Sequence, residues 1–344
     1  MVGSAVSDSI SDSSAPSSVA RGSSRRFWWP LVKWSLFLLV LAAVGWHGWR
    51  LWREIDFREV QLRPLWFLPA ILAYIAGWLP AVWYWRSLMA GAGERVGWSA
   101  AARAYFCGHL GKYVPGKAGV VLIRAGMLQQ VGCRAGAAAV TSIYETLATM
   151  AAGALVAVLL LPALVREETL SRWFAQLPQG ETIRSLLPGL AIAACLLGLP
   201  LMSRVLNELM ARLMRRRGAD LTAEPIVLRP MLLAFLPLIA GWWLHGLSLG
   251  LTIQSVSSEA IVWSDWPRWT GAVSLATVLG FVAIFAPGGA GVREGVLMEA
   301  LEPAIGSHAV LAAGLLRIVW LAGEILAAVT LYYGFRPLRK DSTS

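Results

Sequence analysis

The chain is organised by apolar runs of about 20 residues, the length a helix needs to cross the hydrocarbon layer. Such runs fall at 31–49, 65–85, 135–165, 185–203, 230–251 and 308–335. The run at 65–85 carries no charge, and Trp66, Trp83, Tyr84 and Trp85 stand at its ends, where rings favour the headgroup zone. Two further apolar stretches, 99–130 and 269–303, are interrupted midway by Pro-Gly turns, which leaves halves too short to cross alone. The pattern predicts an all-α polytopic membrane protein, a helical bundle of six to eight membrane segments with two Pro-Gly broken re-entrant hairpins. The count is six if 269–303 enters and leaves on one side. It is eight if 269–286 crosses fully and 291–303 crosses obliquely.

Composition agrees: 57% of the 344 residues are hydrophobic, 15% are charged, and the mean hydropathy is +0.60. The formal charge of +10 does not point to nucleic acid, because the 30 basic residues sit mostly beside apolar runs and not on one soluble face. Twenty of them fall in segments on the side of the N-terminus and eight in segments on the other. The positive-inside rule then places both termini in the cytoplasm. The basic patch of Arg212 and Arg215–Arg217 reads as part of this topology signal.

Residues 1–24 hold ten serines and nothing from which to build a core, so 1–26 is expected to be a disordered cytoplasmic tail. A signal peptide is the competing reading of this end, but the apolar run after Arg25 and Arg26 is long and Trp-rich, which predicts an uncleaved first span. Residues 338–344 are expected to form a short cytoplasmic tail. Cys107, Cys133 and Cys195 are far apart and read as packing residues, with no metal or cofactor implied. The scattered His47, His109, His245 and His308 read as packed or interfacial, and Trp242 and Trp243 as interfacial anchors.

The two broken stretches resemble each other. Pro115-Gly116-Lys117-Ala118-Gly119-Val120 matches Pro287-Gly288-Gly289-Ala290-Gly291-Val292 at five of six positions, at an offset of 172 residues. Each half has the order span, span, broken stretch, span, which predicts repeats at 27–172 and 173–337. Three full spans per half force the second to lie inverted. A turn of this kind brings unpaired backbone N–H groups and a positive dipole end into the membrane, where protein, water or an anion must satisfy them.

Among the charges within the apolar stretches are Lys117, Arg124, Glu145, Arg293, Glu294, Glu299, Arg317 and Glu324. Each costs about 3 kcal/mol at the centre of a lipid-facing helix, so they are expected to face inward, pair, or line water. Arg317 and Glu324 share a face of the last span, and Glu145 is placed to pair with Arg124 or Arg317. Mutual neutralisation is the plain structural reading. The functional one is an on-balance cationic groove that admits a phosphate headgroup while acyl chains stay in lipid.

At these residues the sequence resembles the membrane region of the lysylphosphatidylglycerol synthase/flippase-like family. The stretch 111–119 with Arg124 resembles the family's first motif, 287–294 matches its second fully, and Arg317 takes the place of the Arg in its last span. The resemblance covers roughly residues 30 to 335. It implies translocation of an anionic phospholipid or a polyprenyl-linked glycolipid between leaflets. The implied substrate-binding residues are Pro115, Gly116, Lys117, Gly119, Arg124, Glu145, Pro287, Gly288, Gly289, Gly291, Arg293, Glu294, Arg317 and Glu324. Where members often carry Glu-Arg and a nearby Asp, this chain has Glu145 followed by Thr146 and Thr149. With Ser344 closing the sequence, the family's aminoacyl-transferase domain is not expected.

An enzyme is not expected: all six Asp residues lie outside the spans, no D-x-D occurs, and no P-loop is present. The alternative to a flippase is a non-transporting membrane partner of a glycosyltransferase or lipid-modifying enzyme.

Overall fold

Lipid offers no partners to backbone N–H and C=O groups, so a chain this apolar satisfies them within helices. The computed structural model describes residues 24–55, 60–113, 118–165, 167–176, 178–216, 228–257, 261–283 and 286–334, and no strand occurs among them. The expected tails, apart from Ser24 to Arg26 at the start of the first helix, lie outside the described residues.

The first half comprises α1 (Ser24–Arg53), α2 (Phe67–Gly91), α3 (Trp98–His109), α4 (Gly119–Gln129), α5 (Ala135–Leu159) and the single turn α6 (Leu161–Leu164). The second comprises α7 (Glu167–Ala175), α8 (Gly180–Arg216), α9 (Leu228–Gln254), α10 (Trp266–Val282), α11 (Val292–Ile305) and α12 (His308–Gly334). Within the described residues, four helices are long and apolar enough to cross a membrane: Pro64–Gly91, Ala135–Leu159, Phe235–Gln254 and His308–Gly334. The two other expected spans lie in α1 and α8, 30 and 37 residues long.

The broken stretches form hairpins. At 1.5 Å per residue, α3 and α4 are each roughly 16–18 Å long, α11 about 21 Å and α10 about 25 Å, all short of the roughly 30 Å hydrocarbon layer. α3 packs against α4 and α10 against α11. The turn Leu110–Tyr113 meets the turn Pro287–Gly289, so the hairpins stand tip to tip inside the bundle.

The helix pairings repeat between halves. α4 packs on α5 as α11 does on α12; across the halves, α3 packs on α12, α10 on α5, and α2 on α9. Exchanging the halves maps this set of contacts onto itself. α2 and α9 run antiparallel: Ser248 Oγ donates to the Ala70 carbonyl at 2.8 Å, while Gly77 lies against Gly241 further along. Two equivalent helices that run antiparallel have their twofold axis perpendicular to them, which is the arrangement of an inverted repeat. Small residues allow the close crossing, since a Cβ on Gly77 would stand 3.0 Å from the Gly241 carbonyl oxygen and 2.5 Å from His245.

Several aromatic assignments change. Tyr84 and Trp85 are fully buried, and Trp85 Nε1 donates to Thr141 Oγ1 at 3.1 Å. Trp242 is also buried, donating to the Thr149 carbonyl at 3.1 Å, while Trp243 is half-buried. Trp85 and Trp242 fill the interfaces between helices because their N–H groups find acceptors there, a use that hydropathy alone does not distinguish from interfacial anchoring. Cys133 is buried and Cys107 and Cys195 are half-buried, all three as free thiols.

Candidate functional site

α2, α3, α4, α5, α10 and α12 surround the meeting point of the two turns, and a cavity of roughly 290 Å³ lies among them. Its polar wall draws on both halves: Lys112 and Arg124 from the first hairpin, Glu145 from α5, and Gly288, Gly289 and Arg293 from the second hairpin.

Three ion pairs organise the wall. Arg124 Nη1 meets Glu145 Oε2 at 2.7 Å, with both side chains 2% exposed. Glu145 Oε1 accepts from Tyr105 Oη at 2.9 Å and Thr149 Oγ1 at 3.0 Å, so the carboxylate is held on both oxygens. Lys112 Nζ and Tyr74 Oη both donate to Glu324 Oε1, and Oε2 of this buried carboxylate has no hydrogen bond among the described residues. Arg317 pairs with Glu294 Oε1, while Glu294 Oε2 accepts the Gly291 N–H at 2.7 Å and so caps α11. This cap follows from the second turn, where Gly288, Gly289 and Gly291 all have positive φ and the chain reverses within five residues.

The first and third pairs are related by the repeat with their polarity exchanged. In the first half the cation is on the hairpin helix α4 and the carboxylate on α5; in the second the carboxylate is on α11 and the cation on α12. Glu145 and Arg317 stand 172 positions apart, the offset of the two turns.

Arg293 is the cation left over. Its nearest carboxylate oxygen, Glu294 Oε1 at 3.9 Å, is the one Arg317 already takes. Its Nε has no hydrogen-bond partner, and its guanidinium rests 4.7 Å from the centre of the Trp320 ring. Around the cavity the described residues thus carry four cations, Lys112, Arg124, Arg293 and Arg317, against three carboxylates. Arg124 and Arg293 are seated on rings, with Arg124 3.8 Å from the centre of Tyr105, an arrangement that directs guanidinium edges toward other partners.

The expected site residues divide as follows. Arg124, Glu145, Gly288, Gly289 and Arg293 line the cavity; Glu294, Arg317 and Glu324 stand behind it as ion-pair partners; Pro287 and Gly291 shape the second turn. Gly119 begins α4 and packs against Gly111. Pro115, Gly116 and Lys117 lie outside the described residues. Glu299 does not turn inward: it is exposed on α11 near Glu302 and His47, and α11 packs against α1.

Lys112, which lies within the 111–119 motif, and the ring group Tyr74, Trp78, Tyr105, His109 and Trp320 belong to the cavity although none was expected among the site residues. His109 lies 4.4 Å from Trp78, and His245 is buried behind it at 4.8 Å from the same ring. Their signal in sequence was limited to Lys112, the cation three residues before the first Pro-Gly.

An all-helical polytopic membrane protein with two broken hairpins meeting at a charged internal cavity is a class defined by fold and site together. The family described as lysylphosphatidylglycerol synthase TM region matches residues 31–327. The chain belongs to that family, a bacterial membrane family with a context in lipid modification or flipping. No curated protein matches it.

Proposed function

We propose that the chain is a flippase of the bacterial inner membrane, with both termini cytoplasmic, moving an anionic phospholipid or polyprenyl-linked glycolipid between leaflets. The observation that carries this reading is Arg293, a buried cation at the cavity wall whose one neighbouring carboxylate among the described residues, Glu294, is already paired. A buried charge of this kind is retained at a cost unless a partner arrives, and a phosphate headgroup is such a partner. Lys112 and Arg124 add further cationic contacts, and Glu145, Glu294 and Glu324 hold these cations when the headgroup is absent. Transport then proceeds by exchange of ion-pair partners as the hairpins shift between inward-open and outward-open arrangements. The protein moves the lipid without altering its bonds.

The test is leaflet exchange of fluorescent phosphatidylglycerol in vesicles reconstituted with purified protein. Arg293→Ala removes the surplus cation, and Gly289→Leu places a side chain where φ is +71° and Gly280 lies 3.0 Å away. Both folded variants are expected to lose exchange; exchange at the unaltered rate in Arg293→Ala refutes the assignment.

A further inference from the structure

The cavity has an apolar side as well as a charged one. On α5, Ile143, Thr146, Leu147 and Met150 follow one another at helical spacing and form a strip beside Glu145 and Thr149. All four line the cavity, and Ile143 and Leu147 are still 39% and 38% exposed, so this wall is not packed over by protein. α10 provides the facing edge with Thr277 and Phe281.

The two helices run antiparallel and close at one end. Arg268 Nε donates to the Ala163 carbonyl at 3.0 Å, and Gly271 lies against Leu160 and Leu164. Toward the other end Thr277 and Phe281 of α10 and the strip from Ile143 to Met150 of α5 line the same cavity, and α10 stops at Val282. What remains is a slot with apolar sides, continuous with the cations of the cavity and set within α5, a helix long and apolar enough to cross the membrane.

We propose that this slot between α5 and α10 is the passage for an acyl chain of a membrane lipid whose anionic head is held at Arg293 and Arg124. The proposal rests on the transport reading above and specifies its ligand as a lipid that keeps its tail in the bilayer. The charge of the inner end fits the head, and the apolar strip fits the tail. A soluble anion would use the first and leave the second without a role. Ile143 and Leu147 set the width of the passage.

The experiment uses the full chain in nanodiscs of phosphatidylcholine with a small fraction of phosphatidylglycerol bearing a photoreactive diazirine in its acyl chain. Labelled residues are mapped by peptide mass spectrometry. Labelling across 143–150 is expected to fall at least tenfold when unlabelled phosphatidylglycerol competes, and equally in Arg293→Ala. Labelling of the outward-facing Leu279 and Val282, 41% and 65% exposed, is expected to stay constant as ordinary lipid contact. A second variant, Ile143→Trp/Leu147→Trp, is expected to slow leaflet exchange tenfold or more, with Leu279→Trp as the unaffected control. Labelling of 143–150 that competes no better than that of Leu279, or unaltered exchange in the double Trp variant, overturns the proposal. The labelling decides the slot even if wild-type protein exchanges no lipid, an outcome that would sink the transport reading alone.

Discussion

Replacing Arg124 by Met leaves Glu145 buried without its counter-ion. The carboxylate is 2% exposed, and after the loss of the 2.7 Å contact its donors among the described residues are the hydroxyls of Tyr105 and Thr149. Removing one partner of a buried pair costs about 3–5 kcal/mol. The two remaining hydrogen bonds, at about 1 kcal/mol each, place this site toward the lower end. A cost of about 3 kcal/mol corresponds to roughly two orders of magnitude in the unfolding equilibrium. In Arg124→Met/Glu145→Gln the amide oxygen still accepts from both hydroxyls while the buried charge is gone, so about 2 kcal/mol or more is expected to return. Reversible unfolding in mixed micelles, titrated with dodecyl sulfate and followed by tryptophan fluorescence, measures both. A single-variant cost under about 1 kcal/mol, or a double variant as unstable as the single, refutes the claim that this pair neutralises a buried charge.

Two further outcomes are expected. Gly77→Ala pushes a methyl group against the Gly241 carbonyl and His245, so the α2–α9 crossing opens and stability falls by about 1–3 kcal/mol in the same micelle assay. Glu294→Ala removes both the cap on Gly291 and the partner of Arg317, whereas Arg317→Ala leaves the cap; the first is expected to cost about 1 kcal/mol more than the second.

Helix content and the two hairpins were legible because they depend on local rules. A Pro-Gly turn halfway along an apolar stretch leaves halves of known and insufficient length, and α3, α4, α10 and α11 have those lengths. The Arg124–Glu145 pair was legible because an ionised group in an apolar helix must find a partner. Tyr84, Trp85 and Trp242 were misread for the same reason that span ends are easy to find. A ring near the end of an apolar run satisfies the headgroup rule whichever way it points, and only the neighbouring helix decides. Lys112 was quoted as part of a motif but given no role, since its partner Glu324 is 212 positions away. Of the three fates expected for charges in these stretches, facing inward, pairing or lining water, Glu299 does not take the first: it is exposed on α11 near His47 and Glu302.

The exchanged polarity of the two hairpin pairs bears on how the bundle assembles. Duplicated halves offer each hairpin two similar docking helices, its own and that of the other repeat. If both halves had kept the same polarity, either hairpin would find an opposite charge on either helix. As the chain stands, α4 placed against α12 would set Arg124 beside Arg317, and α11 placed against α5 would set Glu294 beside Glu145. Like charges in so apolar a setting exclude both mistakes, so the same four residues that neutralise one another also tell each hairpin which half it belongs to.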